Sequence, residues 1–473
     1  GRVTLGEAPG TRLAVAGNYS GNGGVLHFST ELGGDDSPTD RMTIGGDASG
    51  TGIVEVTNAG GVGAQTVNGI KLIDVTGATS ANFTLAGDFE FNGQQAVVGG
   101  AYAYSLYQGG VNTPNDGDWY LRSSALGPDA GGGGNVQPGV PVYEGYPATL
   151  LALNALPTMQ QRIGNRYWSG PGSPADVEPA NGVAVPPDGF AEDKRAWARL
   201  DASNGRLEPD VSDNDTPSYD LQTVKLQVGI DRPVREMDDG SLLVGGATFN
   251  YGTVDNDVSS DFGDGKISTT GYGLGGSLTW FRGDGVYLDS QAQVAWYDSD
   301  LSSDLVDERL ASGNDGFGWA LGVEGGKRIP INADWTVTPQ AQLFYSSVDF
   351  DSFDDTFGVR VSMQDGASMP LRIGAALEQE QTGDSDKYGQ TRTHLYGIAN
   401  LYYDLIDQTA VSVDGTRFTA DSQNLWGSVG VGGSLTWKDG AYGVYTEGLV
   451  ASSLSDFGDN YANKITIGFR AAW

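Results

Sequence analysis

From residue 194 to the C-terminus the chain alternates apolar and polar positions with period two, the signature of strands with two unlike faces. Val286, Leu288, Ala292, Val294 and Trp296 alternate with Tyr287, Asp289, Gln291, Gln293 and Tyr297. Phe317, Trp319, Leu321 and Val323 alternate with Gly318, Ala320, Gly322 and Glu324. The same holds for Trp335–Tyr345 and for Leu425–Trp437. One face is apolar with aromatic residues near its ends; the other is polar or glycine. A dyad repeat of that kind, with an aromatic girdle, predicts strands of a transmembrane β-barrel. A soluble barrel would turn its apolar face inward.

About twelve such runs occur, near 194–206, 219–232, 241–254, 267–282, 286–299, 314–328, 334–349, 356–380, 391–406, 423–437, 441–453 and 463–473. The 356–380 run reads either as one strand interrupted by a long loop or as two short pieces. An even count is what single-chain bacterial barrels require. Acidic loops (Asp210–Asp215, Asp255–Gly265, Ser302–Asp315, Gln381–Tyr388) and Asp-Gly turns such as Asp239–Gly240 and Asp439–Gly440 separate the strands. In the last run Tyr461, Ile465, Ile467, Phe469 and Trp473 share a face opposite Lys464, Thr466 and Arg470.

Residues 1 to about 125 follow a different pattern. Short β-runs (Val25–Thr30, Gly52–Thr57, Gly69–Thr76, Asn82–Leu85) recur at roughly 15–25 residue spacing between Gly/Asn/Asp turns, predicting coils of a right-handed parallel β-helix. The last coil needs a cap. Ala101–Tyr107, with Tyr102 and Tyr104, and Asp118–Arg122, with Trp119 and Tyr120, are placed to supply it. An ordinary hydrophobic hairpin is the competing reading.

Between the two β regions lies the one helical stretch, Pro141–Trp168. Leu150, Leu153, Asn154 and Leu156–Pro157 give it a mixed apolar face, and Met159–Arg162 continue with good helix formers. A helix over 143–168 spans about 39 Å at 1.5 Å per residue, enough to cross a hydrocarbon core of about 30 Å. Pro157 must kink or interrupt it. Its polar residues are costly in lipid and tolerable in a polar lumen, so the helix is expected to plug the barrel. Arg162 and Arg166 would then meet inward carboxylates such as Glu324 or Glu447; the bland alternative is a solvated helix end. The expected units are therefore 1–130, 131–190 and 191–473.

Composition narrows the function. A net charge of −33 over 473 residues argues against nucleic acid. Ten Trp, 21 Tyr and 16 Phe argue against disorder. There is no cysteine, so no disulfide clamps the chain. No run is long and apolar enough for a transmembrane helix. No signal peptide is visible, and the opening GRVTLGEAPG reads as the middle of a β-structure, so a longer precursor is expected. His27 and His394 stand far apart, which leaves a histidine-based triad or metal site little support. Asp261–Gly263, Asp456–Gly458 and the glycine run Gly271–Gly276 lack the companions of a kinase or nucleotide site. Asp255, Asp257, Asp261 and Asp264 miss the EF-hand spacing. No metal or cofactor is expected.

The run GNYSGNGGVLHFSTELGGDDSPTDRMTIGGDASGTGIVEV, then GIKLIDVTG, FTLAG, YAYSLY and DWYLRS, resembles the end of the exported passenger in type Va autotransporters. The resemblance continues through YPATLLALNALPTMQQRIGNRYW to the C-terminus. It implies an autochaperone in 1–130 and a translocator barrel that displays the chain's own upstream passenger on a Gram-negative cell. It further implies outer-membrane lipid and lipopolysaccharide, the β-barrel assembly machinery and periplasmic chaperones as partners, and a monomer. Phe469 and Trp473 match the terminal signal that the assembly machinery reads in such proteins. Some members cut their linker when an asparagine amide attacks its own carbonyl with help from a barrel carboxylate. Asn154–Ala155 is the corresponding bond here, with Asp289, Glu324, Asp404 and Glu447 as inward acid candidates; most weight falls on an intact linker and no enzyme. The rival readings are an outer-membrane channel or barrel enzyme with an appended β-domain, and a soluble β-rich adhesin.

Overall fold

Period-two alternation produces a closed wall. The computed structural model describes residues 1–91, 93–123, 135–164, 195–209, 217–332, 334–385, 389–438 and 440–472. Twelve of its strands pair antiparallel in chain order: Arg195–Leu207, Ser218–Glu236, Leu242–Ser259, Gly265–Phe281, Val286–Ser303, Ala311–Lys327, Trp335–Phe350, Pro370–Ser385, Gly389–Asp404, Leu425–Trp437, Tyr442–Ser453 and Tyr461–Ala472. The first pairs with the last, Leu200 opposite Ile467, so the sheet has no free edge.

Side-chain direction decides what surrounds the barrel. Outward Leu274, Leu321 and Val431 are 55%, 53% and 70% exposed, whereas inward Asp289, Glu324 and Glu447 are buried. Polar groups in and aliphatics out is the arrangement of a membrane barrel. Outside, Tyr272 stacks on Trp296 (5.9 Å) and Trp296 meets Phe317 edge-on (5.9 Å), forming part of the aromatic girdle.

Several strands run further than expected at one mouth: Leu242–Ser259 and Val286–Ser303 absorb stretches read as acidic loops. Backbone pairing continues there after the outward face turns polar, so the alternation signal fades before the strand does. The 356–380 run is broken into three strands, with the short Ala367–Ser368 pairing beside Ser346–Ser347 between two longer ones. Arg360–Asp365 leaves the wall to join Phe353–Asp354, Gln408–Val413 and Thr416–Asp421 in a separate four-stranded sheet, and Pro370–Ser385 returns to the wall. The Gln408–Asp421 hairpin was not expected; its turn, Asp414–Gly415, has both residues at positive φ (50° and 87°), the geometry Asp-Gly favours.

Residues 1–123 stack in two parallel sheets. Arg2–Thr4, Tyr19–Thr30, Ala48–Asn58 and Asn82–Ala86 form one; Arg12–Val15, Arg41–Ile44 and Ile70–Val75 form the other. Phe28, Met42, Ile44, Val54, Leu72 and Phe83 are buried in the core of this unit. One coil takes 29–31 residues, more than the spacing expected between β-runs, because successive β-runs alternate between sheets. Asp47 N–H donates to Asn18 Oδ1 (2.9 Å) and Ala78 N–H to Asp47 Oδ1 (2.8 Å), across 29 and 31 residues. The stack ends where Trp119–Arg122 pairs antiparallel with Ile70–Val75, extended by Tyr102–Gln108, Gln94–Gly99 and Phe89–Phe91. Reversing strand direction there caps the parallel coils.

The linker forms two helices, α1 (Val140–Asn154) and α2 (Met159–Ile163), in place of the single helix expected over 143–168. Ala155 is extended (φ −61°, ψ 136°) and so is Thr158 (φ −69°, ψ 161°). Pro157 offers no N–H and disfavours helical geometry at Leu156, so the break falls there. Thr158 then restarts the helix with a capping box: its hydroxyl accepts from Gln161 N–H, and the Gln161 side chain accepts from Thr158 N–H. Residues 165–168 with Arg166, the expected unit boundaries near 130 and 190, the Asp210–Asp215 loop, Asp439 and Trp473 lie outside the described residues.

Candidate functional site

The functional candidate is the barrel lumen, which both helices occupy. Most of α1 is buried, and the face carrying Ala148, Leu151 and Ala152 is half-buried. Its Val142, Tyr143, Tyr146, Leu150 and Leu153 pack in one core with inward Leu221, Val254, Ile267, Ala295, Leu301 and Val348. The lumen toward the long hairpins is therefore apolar, a correction to the expected polar lumen. Wall strands can afford it because the helix covers those side chains. Tyr146 stacks on Phe350 at 4.5 Å and its hydroxyl donates to Asn314 Oδ1 (3.0 Å). Gly145 is required here: a Cβ would sit 2.7 Å from the Tyr219 ring.

At the end of α1 the contacts turn polar. Asn154 Nδ2 donates to Ser346 Oγ (2.8 Å), Trp319 O (3.0 Å) and Ser347 O (3.3 Å). Gln293 Nε2 donates to Asn154 O (2.6 Å) and Oδ1 (3.1 Å). Lys225 Nζ donates to Leu153 O (2.9 Å) and Ala155 O (3.3 Å), satisfying carbonyls that a helix end leaves open.

α2 is held by charges. Met159 N–H donates to Glu324 Oε2 (3.0 Å), and Gln161 Nε2 to Glu447 Oε1 (2.6 Å). The Arg162 guanidinium donates to Asp289 Oδ1, Thr279 Oγ1 (3.0 Å) and Ser277 Oγ (3.0 Å), with Asp231 4.0 Å away. Gln291 and Gln342 both donate to Pro157 O (2.9 and 3.1 Å), and Tyr445 O–H donates to Arg162 O (3.0 Å). The carboxylates have further partners: Arg372 and Tyr287 on Glu324 (3.1 and 2.8 Å), Tyr396 on Glu447 (2.7 Å). Asp289 and Glu324 are thus paired with arginines, and Glu447 is hydrogen-bonded by Gln161 and Tyr396, so each buried carboxylate has partners. Met159 and Ile163 pack on inward Leu242, Val244, Phe281 and Tyr287 near the short turns.

At the long-hairpin mouth, the extra four-stranded sheet closes over the start of α1. Gln137 Nε2 and Tyr143 O–H both donate to Asp355 Oδ2 (2.9 and 2.8 Å), and Tyr143 meets Phe353 edge-on at 5.8 Å. Phe357 lies 6.3 Å from Phe89 of the cap. Cap, helix and hairpins share one buried core.

Arg162 meets Asp289 rather than Glu324 or Glu447, which hold α2 by its backbone and by Gln161. Asp404 stands apart. It accepts from Ser368 (2.7 Å) and Met369 N–H (2.8 Å) at the base of the extra hairpins, and reaches neither helix. None of these four carboxylates hydrogen-bonds Asn154, so the arrangement holds that amide without supplying the acid its cyclisation needs. Leu150 and Leu153 face the wall core. Phe469 points outward, 45% exposed. In the cap, Tyr104, Trp119 and Tyr120 are buried and Tyr102 is half-buried. Tyr104 O–H donates to Ala64 O (2.8 Å), Trp119 meets Phe83 edge-on (5.3 Å), and Tyr120 O–H donates to Asp116 Oδ2 (2.6 Å). His27 contacts Thr57, and His394 pairs with Glu378 inside the barrel.

Lys225 and Asp355 escaped the sequence reading, and Gln291, Gln293 and Gln342 were read only as polar-face residues of their strands. A signal for the glutamines existed: the tripeptide Gln-Ala-Gln occurs at 291–293 and again at 340–342, each time with both amides inward.

Residues 196–446 match the model of the autotransporter beta-domain, and residues 5–106 that of the autochaperone domain type 1. The chain is 42% identical to the adhesin BmaC autotransporter of Brucella suis biovar 1 over its full length, while spanning 14% of that relative. It is 30% identical to YdeU of Escherichia coli K12, covering 90% of this chain and 95% of that protein. The transport unit of the autotransporter AIDA-I from Escherichia coli shares the fold, with a TM-score of 0.51 at 11% identity over 71% of this chain and 99% of that one.

Proposed function

The chain belongs to the autotransporter family, and from that premise we propose that it exports and displays its own N-terminal passenger, with residues 1–130 starting the passenger's folding. The barrel sits in the outer membrane of a Gram-negative bacterium, long hairpins outside and short turns in the periplasm. The observation that carries this reading is the occupied pore: α1 and α2, which lie between the cap and the first wall strand in the sequence, run inside the lumen. A chain caught in that position is what export through or alongside this barrel leaves behind.

The division at about residues 130 and 190 belongs to the same reading, as do the assembly machinery and periplasmic chaperones as partners. The Brucella relative is an adhesin, and we assign adhesion to the passenger, without enzymatic work by the barrel. The linker stays uncut at Asn154–Ala155, because Asn154 is fully engaged as a fastener.

Planar-bilayer conductance of the full chain, against a variant lacking 141–168, tests the reading. Low conductance that rises sharply on deletion is expected. Free conduction by the intact chain, unchanged by deletion, would give the pore to the channel reading instead.

A further inference from the structure

α1 and α2 are gripped in different ways, and the difference has a mechanical meaning. Most of the α1 surface meets apolar wall. Such contacts are non-directional, and upstream of Asn154 the side-chain hydrogen bonds of α1 to the wall, Tyr143 to Asp355, Tyr146 to Asn314 and Thr149 from Asn256, are single and spread along its length. The wall around Pro157–Arg162 is directional. Hydrogen bonds reach this six-residue segment from Ser277 and Thr279, Asp289 and Gln291, Glu324, Gln342, and Tyr445 and Glu447, on five different strands. They surround the segment, so an axial pull loads them together. Moving it by one turn would also strand Arg162, Asp289, Glu324 and Glu447 as buried groups out of register with their partners.

We propose that α2 with this ring is a load-bearing stop, which keeps outward tension on the displayed passenger from drawing the chain through the barrel. The inference rests on the displayed-passenger reading and adds a function to it: the pore segment bears force as well as filling space. α1 is the seal, Asn154 the joint, and α2 the stop. The extended residues 155–158 transmit tension from one to the other with no helix to uncoil between them.

Single-molecule pulling on the N-terminus of the full chain in a supported bilayer, from the hairpin side, tests this. After the coils unravel, the wild type should show two ruptures, α1 first and α2 second at higher force. Arg162→Met combined with Asp289→Asn removes both charges while keeping volume, and should lower the second rupture force at least two-fold with the first little changed. Glu447→Gln provides an independent variant, with a smaller drop in the same peak, should the double substitution fail to insert as judged by heat-modifiable migration. A single rupture at α1, or a second rupture unchanged in both variants, overturns the stop. Conductance recorded in the same bilayer before pulling separates the two readings: low conductance without a second rupture sinks only the stop, whereas free conductance sinks the occupied pore itself.

Discussion

Gln293 donates through one amide nitrogen to both oxygens of Asn154, at 2.6 Å to the backbone and 3.1 Å to the side chain. That pair fixes which way the Asn154 carboxamide faces, leaving its nitrogen for Ser346, Trp319 O and Ser347 O. Asn154→Leu leaves Gln293 its bond to the backbone carbonyl but takes the donor from Ser346 Oγ and from the Trp319 and Ser347 carbonyls, at about 1–3 kcal/mol per buried group left unpaired. The expected result is a lower urea midpoint for release of the linker, read from tryptophan fluorescence, with full-length chain on gels for both variants. A cleaved product in the wild type that the substitution abolishes would make Asn154 a reacting group after all.

Trp119 closes the parallel coils. It is buried against Phe83 in the core that also holds Leu72 and Leu121. Trp119→Ala should cost about 3–5 kcal/mol, a large share of the roughly 5–15 kcal/mol that keeps a domain folded. Protease should then digest residues 1–123 while the barrel survives, and surface display should fall. Equal protease resistance in wild type and variant would remove the cap from its assigned role.

Gly432 faces Tyr396 so closely that a Cβ would lie 2.4 Å from the ring. Tyr396 O–H in turn holds Glu447, the acceptor of Gln161 on α2. Gly432→Val must swing the tyrosine away, and the disturbance should reach α2 through Glu447. Conductance is expected to rise from the sealed level while the barrel still migrates as folded. Adding Tyr396→Phe should then change little, because the lost hydrogen bond is already gone.

Legibility in the sequence followed side-chain contrast. Wall strands such as Val286–Ser303 were readable because lipid outside and polar groups inside give neighbouring residues opposite environments. The Gln408–Asp421 hairpin alternates as well and carries an Asp-Gly turn, but it buries its apolar face on the cap and helix, a partner no local pattern names. Pro157 announced the break in the linker. The pairing of Arg162 with Asp289, in preference to Glu324 or Glu447, depends on how far each strand is staggered around the barrel. Stagger is a closure property, and no single strand encodes it. The apolar outer lumen was hidden for a related reason: inward Val254, Ile267 and Leu301 look misplaced until α1 is laid against them.

Asp355 joins the mouth of the barrel to the linker, and its protonation should tune that junction. Burial raises its carboxyl above the usual range, opposed by hydrogen bonds from Val359 N–H, Tyr143, Gln137 and Phe357 N–H. A carboxyl with a raised value in the folded state holds its proton more tightly there than in the undocked chain. Its stabilising contribution is therefore complete below the undocked value of about 3.9, and is lost as pH rises through the raised, docked one. Amide exchange at Gln137–Tyr143, corrected for the intrinsic pH dependence of exchange, should show weaker protection at pH 7 than near pH 4. Asp355→Asn keeps an acceptor for Tyr143 yet cannot titrate, so the difference between the two pH values should shrink in that variant. If wild type and variant respond to pH alike, some other group governs the junction, and Asp355 is only a hydrogen-bond acceptor for Gln137 and Tyr143.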